Sequence, residues 1–165
     1  MTEVKSVKID GESIYLFKSA IYVFEANGGF TLELDLIVSE VAVNKYKKED
    51  NLIVEIELAD GRELQAIMHV KALAGGLPQL NLFCELDGPD DYYFLDQVNE
   101  NDSWFPNLEE GLTIEEIRKV EMPVEAINLK LKLPIDQVEW LKNQKRAKIN
   151  EIFQDFIYDY WKKQT

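Results

Sequence analysis

The chain has 165 residues, 46% of them apolar and 30% charged, with a formal net charge of −13. That length and balance describe one globular domain, 1–165, able to bury a core without staples, rather than a disordered chain. The acid excess argues against nucleic-acid backbones and anionic membrane surfaces, because both recruit lysine and arginine.

Cys84 is the single cysteine, so there is no intrachain disulfide and no thiol pair for a metal. A lone thiol suits a reducing cytoplasm, which is the expected location. The opening MTEVKSVKIDGE lacks the apolar core of a signal peptide. The greasiest stretch, SIYLFKSAIYVF, is twelve residues long and carries Lys18, too short and too charged to span a bilayer.

Period-two alternation dominates the first hundred residues and predicts strands near 3–9, 13–26, 30–42, 51–59, 62–73, 79–86 and 91–96. In FTLELDLIV, Phe30, Leu32, Leu34, Leu36 and Val38 point one way and Thr31, Glu33 and Asp35 the other. NLIVEIEL, ELQAIMHVKA and LNLFCEL repeat the pattern. Asp10-Gly11, Asn27-Gly28-Gly29, Asp60-Gly61 and Asp87-Gly88 separate these runs, and such pairs accept the positive φ of tight hairpins. Successive hairpins predict an antiparallel meander over 1–98, with no helix in 30–72.

Residues 99–125 read as loop and a short helix. In it Thr113-Ile114-Glu115-Glu116 matches a capping box, and Pro123 follows the helix end. INLKLKL predicts a last strand at 126–133, with Ile127, Leu129, Leu131 and Leu133 opposite Asn128, Lys130 and Lys132. A long helix is expected over 134–162, capped by Asp136 with Glu139 behind it and stapled by Ile135 and Trp140. Its second half has a broad apolar face from Ile149 to Trp161; its middle, KNQKRAK, has almost none. One uninterrupted helix would run roughly 40 Å, so it lies across the sheet, breaks near Asn143, or leaves the domain. The fold expected is therefore mainly β (α+β): an antiparallel meander of seven to eight strands, strongly curved or barrel-like, packed against a long C-terminal helix.

Charge is unevenly placed. Residues 1–71 carry a net −5 and residues 118–165 a net +3, whereas residues 72–117 hold eleven acids and no base. Within that stretch DGPDDYYFLDQVNENDSW, residues 87–104, holds six carboxylates and four rings. Its spacing does not match a calcium loop, which needs oxygen ligands at nearly every second residue and a closing glutamate. It reads as a hairpin and loop whose outer charges Asp90, Asp91, Asp96, Glu100 and Asp102, with Tyr92, Tyr93 and Trp104 as anchors, would make a protein-docking surface.

Other signals are weaker. His69 is the only histidine, too few for a triad or a histidine-based zinc site, and alternates onto the polar face of its strand. Cys84 falls on an apolar face and reads as a core thiol. ANGGF and AGGLPQ lead into strands, not helices, so neither is a phosphate cradle. Lys142, Lys145, Arg146 and Lys148 form a basic run, read as a solvated face or a counterpart to the acidic segment. No catalytic, cofactor or metal residues are assigned. Three function classes follow: a non-catalytic acidic protein docking a basic protein partner (an inhibitor, immunity-type or accessory factor), an apolar-ligand-binding curved sheet, and, ranked last, a carboxylate-based enzyme. A homodimer through the aromatic face of the C-terminal helix is a further expectation.

Overall fold

The computed structural model describes residues 2–165. It is an α+β arrangement, mostly strands, in two compact units: one ends at Val124 and the other spans Glu125–Thr165. The first unit contains β1 (Val4–Ile9), β2 (Glu12–Ile14), β3 (Lys18–Ala26), β4 (Gly29–Ile37), α1 (Glu40–Tyr46), β5 (Leu52–Leu58), β6 (Glu63–Leu73), β7 (Gln79–Leu86), β8 (Asp96–Asn99) and α2 (Ile114–Val120). All eight strands join one sheet in the order β2-β1-β5-β6-β7-β4-β3-β8.

Connectivity forces that sheet to curl. β2 is the first strand in the order and β3 the seventh, so a flat sheet would hold them about 29 Å apart. Only Tyr15, Leu16 and Phe17 join them, and the step from Ile14 to Lys18 spans at most about 15 Å. The sheet therefore bends into a half-barrel. Thr2, just before β1, closes the mouth: its amide donates to Asp96 Oδ2 at 2.9 Å and its hydroxyl to the Phe94 carbonyl.

The concave face holds the main core. Leu32, Leu34 and Leu36 of β4, Leu80 and Leu82 of β7, Ile21 of β3 and Ile9 of β1 are fully buried there, joined by Tyr46 from α1 and Leu95. A smaller core lies on the convex side, where Ala20, Tyr22 and Ile37 meet Leu77, Val98, Leu108 and Ile117. Asp10-Gly11 and Asn27-Gly28 take positive φ at both residues, the requirement of the two-residue hairpins that they close. The Thr113 hydroxyl accepts from the Glu116 amide and the Glu116 carboxylate from the Thr113 amide, completing the expected capping box of α2.

The structure corrects several expectations of the first unit. The meander is mixed: β8 pairs parallel with β3. Asp87-Gly88 forms no hairpin, because β7 already has β6 on one side and β4 on the other. Pro89 instead leads into a single 3₁₀ turn, Asp90–Tyr92, where a strand at 91–96 was expected, and the chain crosses to the free edge of β3. The strand expected at 13–26 is broken at the crossing between β2 and β3. The strand expected through residue 42 ends at Ile37, and α1 stands inside 30–72, where no helix was expected. Ser39 caps it, its hydroxyl accepting from the Ala42 amide at 3.0 Å.

Further differences fall in the second unit. INLKLKL, residues 127–133, belongs to no strand, and Ile127, Leu129 and Leu131 are exposed. Of the outcomes expected for the long helix, the break near Asn143 is the one seen: α3 (Ile135–Lys142) and α4 (Arg146–Gln164) are separated at Asn143, Gln144 and Lys145, where the apolar face lapses. α3 begins one residue before Asp136, with Pro134 as its cap, so Asp136 sits in the first turn and favours the helix dipole instead. On α4, Phe156, Tyr160 and Trp161 are at least 60% exposed. In the first unit the sheet buries its apolar face by curling on itself, with Tyr46 of α1 added to the core. No helix among the described residues is long and apolar enough to cross a membrane.

Candidate functional site

The acidic segment is anchored by its apolar residues and turns its charges outward. Leu95 and Val98 are buried, Tyr92 and Phe94 pack against the main core, and the Arg62 guanidinium lies 4.5 Å over the Phe94 ring. Burial raises the Tyr92 phenol above its ordinary range, so it stays neutral and structural. Asp87, Asp90, Asp91, Asp96, Glu100 and Asp102 are all exposed.

Two of these carboxylates shape the backbone. Asp96 accepts from Thr2, and Asp102 Oδ2 accepts from the Asn99 amide at 2.7 Å, tightening the turn after β8. Glu100 is held through its own amide, which donates to the Glu25 carbonyl. Asp90 and Asp91 accept no hydrogen bond among the described residues, so their charge is free to act on solvent and solutes. Of the expected anchors, Tyr93 is 77% and Trp104 54% exposed, whereas Tyr92 is half-buried in the fold. Phe105 packs against β3, its ring centroid 5.8 Å from that of Phe24.

A second feature escaped sequence reasoning. β6, β7, β4 and β3 are adjacent, and their convex face carries three polar rows. Phe24, Thr31 and Glu85 form one; Tyr22, Glu33, Phe83 and His69 the next; Ala20, Asp35, Asn81 and Lys71 the third. A chain of hydrogen bonds links them. The Thr31 hydroxyl donates to Glu33 Oε1 at 2.7 Å, and the Asn81 amide donates to Glu33 Oε2 at 2.7 Å and to Asp35 Oδ1 at 2.8 Å. The Tyr22 hydroxyl donates to Asp35 Oδ2 at 2.8 Å. Burial, then the Asp35 charge, drives the Tyr22 phenol far above its ordinary range, which makes it a permanent donor. Beside this network a cleft of about 620 Å³ opens, lined by Phe24, Phe83, Glu33, Glu85, Asn81 and Lys71 among others. Period-two alternation marked Thr31, Glu33, Asp35, His69 and Lys71 as outward-facing; the strand order that gathers them was not legible.

The remaining candidates have structural settings. His69 is exposed, its Nδ1 3.1 Å from the Asp50 carbonyl oxygen and its ring against Phe83. Cys84 is half-buried against the main core, and burial, then Glu33, pushes its thiol up, away from the reactive thiolate. Among the described residues no three His, Cys, Asp or Glu side chains converge to hold a metal ion. Lys142, Lys145, Arg146 and Lys148 flank the break between α3 and α4. Compared with known proteins, the chain matches no family model, no curated protein and no solved structure.

Proposed function

We propose that this chain is a non-catalytic interaction protein of the cytoplasm whose acidic β unit docks a basic protein partner. One observation carries the reading. Residues 72–117 hold eleven carboxylates and no base, and the six within 87–104 are all exposed beside exposed Tyr93 and Trp104. Folding does not require such a bias, and self-repulsion among like charges opposes compaction. Against a basic partner the same charges accelerate encounter, and the exposed rings supply apolar contact at short range.

Co-purification from the source cell with Asp90→Lys/Asp91→Lys tests this. Neither aspartate supports the fold through a hydrogen bond, so reversal changes the surface field and leaves the scaffold. The expected result is a basic protein retained at low salt, released as screening rises, and lost in the reversed variant. Recovery of the same proteins by both forms, with the same salt dependence, would contradict the reading.

A further inference from the structure

Glu33 lines the convex cleft and is joined through Asn81 to Asp35, a charge imbalance that the exposed acidic segment does not explain. Glu33 and Asp35 stand two residues apart on one strand face, and Asp35 is only 7% exposed. All their donors are neutral: a hydroxyl, a phenol and one amide. Among the described residues neither enters an ion pair, although Lys71 shares the cleft. Neutral donors satisfy lone pairs but leave two negative charges side by side, and buried charge is ordinarily matched by a cation. A carboxylate offers about four acceptor sites, so Glu33, which lines the cleft, keeps capacity toward it. Phe24 and Phe83 line the same space, and aromatic faces attract cations.

We infer that this cleft is the anchoring pocket for an arginine side chain of the basic partner, an inference that rests on the docking reading above. Arginine fits better than lysine. Its planar guanidinium can address two carboxylate oxygens at once, it stacks on rings, and it sheds water more readily than an ammonium. Position supports the assignment, because the cleft adjoins the acidic segment. Phe24 on its wall meets Phe105, next to the exposed Trp104, and the Asn99 side-chain Nδ2 at the end of β8 donates to Glu25 Oε2 of β3 at 3.1 Å. The outer acids attract the partner over distance, and the cleft fixes one residue of it.

The test is a titration of the full chain with a labelled peptide carrying three arginines spaced by glycine, with its lysine counterpart, and with calcium ion alone. The arginine peptide binds several-fold more tightly than the lysine peptide. Glu33→Gln weakens it about tenfold, the scale of one lost hydrogen bond between charged groups. Phe83→Leu abolishes the preference for arginine, and Lys71→Met, which removes a resident like charge, tightens binding. Phe83 and Lys71 lie outside the hydrogen-bond network, so those variants carry the test if Glu33→Gln fails to fold. Asp90→Lys/Asp91→Lys slows association but keeps the preference. Equal affinity for the two peptides, reduced only by the Asp90/Asp91 reversal, would overturn the pocket and leave the docking reading standing. Failure of both peptides to bind would overturn both. Saturable calcium binding lost in Glu33→Gln, with peptide affinity unchanged, would make this a metal site and overturn the inference.

Discussion

Tyr22 shows how one residue couples the core to the cleft. It sits at the boundary between the smaller core and the convex polar rows, 6% exposed, with its hydroxyl on Asp35. Removing that hydroxyl leaves a buried carboxylate with one donor fewer, and a hydrogen bond to a charged group contributes about 1.5–3 kcal/mol. Tyr22→Phe should therefore lower unfolding stability by roughly that amount, measured by denaturant titration, without changing the denaturant slope. A loss near zero would mean that water replaces the phenol and that the network is loose. In the sequence Glu33 and Asp35 read as outward residues of one strand and Asn81 as an outward residue of another, while Tyr22 carried no signal of its own. Their convergence depends on which strands are neighbours, and alternation carries no information about that.

Elements were legible where a single period ran long enough and failed where it was short or where topology intervened. β5, β6 and β7 lie within a residue or so of their expected bounds, because each alternates over at least seven residues. α1 was missed because VSEVAVNKY continues the alternation of β4, and seven residues are too few to separate period 2 from period 3.6. INLKLKL has the alternation of a strand but no pairing partner, and alternation alone cannot supply one.

Two measurements belong at this scale. Phe156 on α4 is 66% exposed, so Phe156→Ala should shift stability by no more than about 0.5 kcal/mol. A loss of about 3–5 kcal/mol would place the ring in a core. The second concerns α1 and α2, bridged by Arg118, whose Nε and Nη2 donate to the two Glu40 oxygens at 3.0 and 2.8 Å. That pair holds the Glu40 carboxyl below its usual value of 4.5. A lowered folded-state value adds stability that is complete above the unfolded value and disappears as pH falls through the folded one. Glu40→Gln should thus be less stable than the parent near neutrality, with the difference vanishing below about pH 4.5 in thermal melts. A gap that persists into acid would assign the effect to something other than this ion pair.

At the scale of the whole molecule, the first unit keeps most of its acids outside, Asp35 excepted, and spends its apolar residues on a self-closing sheet. The crossing from β7 to the edge of β3 was not legible, since it follows from β7 being flanked on both sides and not from any local signal at Asp87-Gly88. That crossing lays the acidic segment along one edge of the half-barrel, next to the convex cleft. The central claim is that this surface draws in a basic partner. It is tested most directly by the association rate between the chain and the partner recovered with it, followed against ionic strength. Electrostatic steering predicts a rate that falls about tenfold or more between low and physiological salt, and a much flatter dependence for Asp90→Lys/Asp91→Lys. A rate indifferent to salt, or a salt dependence that the reversed variant shares, would contradict it.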